Sequence, residues 1–167
     1  MTQETTIHVL MYLFNNYFPK ELSLNIDFDI CDRIDDGVFE DLKKAGFGKD
    51  SIARAVEWLE ELSNLTDIEY AVETPKGIRI FSPEERFIFD NECRAFLLHM
   101  LRCDVVPWAV FELIVHFTLK LNISDIDVSL IKWVSFMVLS NFPGSSTALK
   151  KLELLILSDG PSPGLLQ

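Results

Sequence analysis

A mainly α-helical protein is predicted: an N-terminal three-helix lobe carrying a winged-helix-like β-hairpin, followed by a C-terminal helical bundle. Three observations predict it. Apolar residues recur at a helical period along most of the chain, with one period-two stretch between Ile68 and Ile80. Helix boundaries are written in at Pro19, Gly46, Ser82-Pro83-Glu84-Glu85 and Pro143-Gly144. Finally, Leu130 to Gly144, LIKWVSFMVLSNFPG, is apolar on nearly every side. Such a helix belongs at the centre of a bundle, in a membrane or against a partner. Lys132 and a length below the roughly 20 residues of a membrane span select the bundle centre. Trp133, Phe136, Met137 and Phe142 are therefore expected in the core. The expected division is a three-helix lobe with hairpin wing over 1–81, a helical bundle over 82–157 and a disordered tail over 158–167.

Each element has its own signature. Ile7, Leu10, Met11, Phe14 and Phe18 place a first helix before Pro19, with Tyr12, Leu13 and Tyr17 on its other faces. A second helix is expected from about Asp32 to Ala45, with Ile34, Val38 and Leu42 inward, Gly37 a weak point and Gly46 its C′ residue. Asp50 is expected to cap the third, in which Ile52, Ala55, Val56, Leu59 and Leu62 form the buried stripe. Arg54, Glu57, Glu60 and Glu61 are left to water.

Ile68, Tyr70 and Val72 then alternate with Glu69, Ala71 and Glu73, and Ile78 and Ile80 flank Arg79 across a Thr74-Pro75-Lys76-Gly77 turn. The expected hairpin sets Arg79 against Glu69 or Glu73 as a surface pair of small worth. Ser82-Pro83-Glu84-Glu85 reads as a capping box with proline at the first helical position. The fourth helix turns Phe89, Cys93, Phe96, Leu97 and Met100 inward and Arg86, Asp90 and Arg94 outward. A fifth runs from near Pro107 to Leu121, Ser124 with Asp127 opens the sixth, and the last uses Leu149, Leu152 and Ile156.

Composition narrows the function classes. The chain has 167 residues, 49% of them hydrophobic, enough for a real core without staples. A net charge of -11 disfavours nucleic acid and anionic membrane as default partners, since phosphate neutralisation needs clustered Lys and Arg. The acidity is uneven: Met1 to Leu65 holds 13 acidic and 6 basic residues. Three cysteines, Cys31, Cys93 and Cys103, lack a framework spacing and suit reduced thiols in a cytoplasmic protein. The N-terminal MTQETTIHVLMYLF has no basic n-region and no cleavage site, so it reads as a helix rather than a signal peptide.

Several segments together resemble the Smg family of small bacterial proteins. They are VLMYLF at Val9 to Phe14, AGF at Ala45 to Phe47, AVEWLEEL at Ala55 to Leu62, RIFSPEE at Arg79 to Glu85, CRAFLL at Cys93 to Leu98 and KWVSFMVLSNFPG at Lys132 to Gly144. Phe81-Ser82 stands where the family pattern has Tyr-Thr, and Ile131 where it has Leu. The resemblance implies no activity, cofactor or catalytic residue. It adds a gene neighbourhood beside a DNA-processing protein, which is context and not mechanism.

No constellation carries chemistry. Asp27, Asp29, Asp32, Asp35 and Asp36 fail calcium-loop spacing, because Asp32 stands where glycine is needed and Val38 where a bidentate glutamate is needed. They are read as complementing a helix N-terminus. His99 and Cys103 lie four apart, the spacing of two metal ligands on one helical face, yet the sequence offers no second pair, and no metal site is expected. Gly46-Phe47-Gly48 before Lys49 lacks the strand and further glycines of a phosphate loop. No serine elbow and no Cys-His-carboxylate pattern occurs.

The expectation is therefore a noncatalytic protein-binding adaptor or regulator without cofactor, with a protein partner, basic if it meets the acidic lobe, no membrane, and self-association left open. The alternative is winged-helix nucleic-acid binding, with the third helix as reader. Glu57, Glu60 and Glu61 on that helix argue against it, and only Lys49 and Arg54 favour it.

Overall fold

A computed structural model describes residues 6–17, 35–67, 78–142 and 146–158. The chain divides into two compact units, Met1–Ile68 and Glu69–Gln167. Among the described residues there are eight α-helices, one 3-10 turn and no strand.

In the first unit, α1 (Thr6–Tyr17) and α2 (Asp36–Lys44) both pack on α3 (Lys49–Ser63), which a 3-10 turn, Asn64–Asp67, follows. The first helix buries Val9, Leu10 and Leu13, leaving Ile7 and Met11 half-buried. Of the expected Ile7, Leu10, Met11, Phe14 and Phe18 face, Leu10 is buried as expected, Ile7 and Met11 are not, and Phe14 and Phe18 lie outside the described side chains; a helix that is apolar nearly all round does not specify its inner side. Asp35 begins α2 by accepting the Val38 amide at 3.1 Å, so the helix starts later than the expected Asp32. Gly37 accordingly sits in the first turn, where a glycine costs little.

The stop at Gly46 follows the expected form. Its φ of 97° is left-handed, where a side chain would be strained, and the Gly46 amide donates to Lys43 O while Phe47 donates to Leu42 O. These two bonds make a Schellman motif. Phe47 meets the edge of Tyr12 on α1 with ring centroids 5.5 Å apart. The backbone of Gly48 caps α3, and Asp50 lies in its first turn rather than at the cap as expected. Ile52, Ala55, Trp58, Leu59 and Leu62 are the buried stripe; Val56 and Glu61 are half-buried, against the expected core and solvent positions.

The second unit holds α4 (Pro83–Ile88), α5 (Asn91–Arg102), α6 (Trp108–Lys120), α7 (Val128–Asn141) and α8 (Ser146–Ser158). Ser82 makes the complete capping box: the Glu85 amide donates to Ser82 Oγ at 3.2 Å and the Ser82 amide donates to Glu85 Oε2 at 2.8 Å. Replacing Ser82 by Ala is expected to cost about 1 kcal/mol of stability, read as a lower denaturant midpoint.

The expected single fourth helix is two. Phe89 leaves the helical region at φ -94° and ψ 121°, and Asp90 starts α5 by accepting the Cys93 amide at 2.8 Å. The break serves packing: Phe89, Cys93, Phe96, Leu97 and Met100 all still point inward, as expected.

α7 lies against α5, α6 and α8. No residue from Val128 to Phe142 is exposed, so the apolar helix is surrounded as its sequence demands. Met137 is buried, while Trp133, Phe136 and Phe142 are half-buried. Its opening cap is Asp127, which accepts the Leu130 amide at 2.8 Å. Buried hydroxyls return to their own helix, Ser135 to Ile131 O at 2.7 Å and Thr118 to Ile114 O at 2.6 Å. The charge of Lys132 rests 5.5 Å over the Phe96 ring.

Residues 159–167 of the expected 158–167 tail lie outside the described residues, whereas Ser158 itself is the last residue of α8. Pro143-Gly144 and positions 68–77 of the expected hairpin lie outside them as well. Its remaining part, Ile78 to Ile80, forms no strand. No helix among the described residues is long and apolar enough to cross a membrane.

Candidate functional site

Glu69 and Glu73, the partners expected for Arg79, lie outside the described residues, and among the described ones Arg79 sits in a largely enclosed ionic clamp. Leading into α4, residues 78 to 81 alternate: Ile78 and Ile80 are 84% and 71% exposed, whereas Arg79 and Phe81 turn inward. The guanidinium forks onto Glu85, with Nη2 at 2.7 Å from Oε1 and Nη1 at 3.0 Å from Oε2. It also meets Glu112 on α6, with Nε at 2.7 Å from Oε1 and Nη2 at 3.3 Å from Oε2. A second bond from Nη1 goes to the carbonyl of Ile80. All five N–H groups of Arg79 are thus engaged. Its Cζ lies 5.3 Å from the Phe81 ring centroid and 5.8 Å from that of Phe111.

Electrostatics follow from these contacts. Hydrogen bonding to Glu85 above all, and then Glu112, holds Arg79 above its ordinary value against the opposing cost of burial. In return, the bond from Arg79 holds the Glu85 carboxyl below its usual range, burial opposes this, and the Ser82 amide adds to it. With its donors spent and two carboxylates around it, Arg79 is not an anion receptor. Its effect is to fix the 78–82 segment onto α4 and α6.

The clamp leaves apolar side chains facing out. Of the four large hydrophobics that are exposed among the described residues, three lie between Ile78 and Phe87, which is itself 93% exposed; the fourth is Leu154. Single exposed apolar groups are ordinary, whereas these three stand close in sequence on one braced segment. Sequence patterning read Ile78 and Ile80 only as hairpin residues flanking Arg79 and gave no sign of their exposure.

Other sequence candidates fall as follows. Asp35 and Asp36 serve the start of α2, while Asp27, Asp29 and Asp32 lie outside the described residues. The Gly46-Phe47-Gly48 turn is a helix stop. Cys93 is buried, its Sγ 3.5 Å from the Ile126 carbonyl, and burial first and Asp90 second push its thiol up to about 12. Such a thiol stays protonated and inert. His99 and Cys103 share the last turn of α5 as their spacing suggests, with Sγ 3.7 Å from Nδ1. No group of three or more metal-ligating side chains assembles among the described residues.

Along α3 the exposed charges are Lys49, Asp50, Arg54, Glu57 and Glu60, so its outer face is more acidic than basic. The wing expected beside it lies largely outside the described residues.

Comparison with known proteins joins this architecture to a family. The family described as "Protein of unknown function (DUF494)" matches residues 6–163. A "Protein Smg homolog" of Aeromonas hydrophila is 36% identical over 158 residues, covering 91% of this chain and 96% of the relative. The chain belongs to the Smg family. "Protein Smg" of Shigella boydii is 35% identical and that of Escherichia coli 34%, each over 152 residues covering 89% of this chain and 92% of the relative. No solved structure matches. Both the Arg79 clamp and the exposed Phe87 of this Smg-family chain fall within the matched span.

Proposed function

We propose that this Smg-family protein is a noncatalytic protein-binding adaptor or regulator, and that its second unit meets the partner through Ile78, Ile80 and Phe87. The observation that carries the reading is the placement of these three exposed side chains on a segment braced by the Arg79–Glu85–Glu112 clamp. A partner covering one of them gains about 1.5–3 kcal/mol, and the bracing lowers the cost of ordering the segment on binding.

Nucleic-acid binding draws no support from α3, whose exposed glutamates repel phosphate.

The test is affinity isolation of the tagged protein from its cell of origin, in parallel with an Ile78→Ser, Ile80→Ser, Phe87→Ser variant. The three side chains are exposed, so the variant is expected to keep its unfolding free energy within about 0.5 kcal/mol per substitution. It is expected to lose a specific partner that the parent retains. An unchanged set of partners sinks the proposal, as does a gel shift on nucleic acid at micromolar protein that the triple variant shares.

A further inference from the structure

We draw no further inference here: the strongest candidate, the outer face of α8 where Lys150, Lys151 and Leu154 are exposed beside the α5–α6 turn, carries none, because nothing in the structure shows what covers it.

Discussion

Replacing Arg79 by Ala is expected to destabilise the second unit by about 3 kcal/mol, the lower end of the range for breaking an enclosed ion pair by removing one partner. Five donated hydrogen bonds disappear together, and the Glu85 and Glu112 carboxylates are left near each other. The lower end applies because Glu112 is 42% exposed, so water recovers part of its solvation, whereas Glu85 at 15% recovers little. The effect has a definite pH dependence. Glu85 has a depressed carboxyl in the folded state, so its contribution is complete above the ordinary glutamate value of about 4.3 and fades as pH falls through its folded value. Urea unfolding at neutral and at acidic pH is therefore expected to show a gap between parent and variant that narrows in acid. A gap that is constant with pH, or a loss below about 0.5 kcal/mol at neutral pH, contradicts the clamp.

The second large effect lies in the first unit. Trp58→Ala is expected to cost about 3–5 kcal/mol, the usual loss for emptying a buried aromatic site. Trp58 is completely buried on α3, the helix against which both α1 and α2 pack. In a unit of this size that loss takes most of the available stability. The neighbouring Val56→Ala serves as the contrast, since Val56 is only half-buried. Denaturant midpoints should rank Trp58→Ala far below Val56→Ala. Equal losses would mean that the regular stripe, and not the observed burial, describes the core of α3.

That contrast shows where sequence reading succeeds and stops. Caps and stops are local, so Ser82 with Glu85 and the glycine stop at Gly46 were legible from a few residues. The central place of α7 was legible as well, because an apolar helix with no outer face has few other uses.

Faces were harder. Trp58 falls beside the Ile52–Ala55–Leu59–Leu62 stripe, and the size of its ring lets it reach a core that its angular position alone does not predict. On α1, apolar residues all round leave the inward side to be chosen by the partners. The break at Phe89 was masked because the same residues stay inward on either side of it.

Arg79 was the hardest element. Its partner Glu112 stands 33 positions away on α6, a separation that carries no local signal. The period-two pattern was present, but with charge turned in and isoleucine turned out. The exposed surface was hidden by that reversal, since the alternation marked Ile78 and Ile80 only as hairpin residues flanking Arg79. Nothing in the sequence marked Phe87 as 93% exposed, because it follows directly from a helix start whose neighbours are charged.

The central claim, that a protein partner is met at the braced apolar segment, is tested most directly by placing a photoreactive residue at position 78, 80 or 87 in the living cell. Control positions 57 and 60 lie on the exposed acidic side of α3. The account predicts one recurrent protein adduct from the 78–87 positions, absent when Arg79 is replaced by Ala and the segment loses its brace. Adducts that form from positions 57 and 60 but not from 78, 80 or 87 would contradict it.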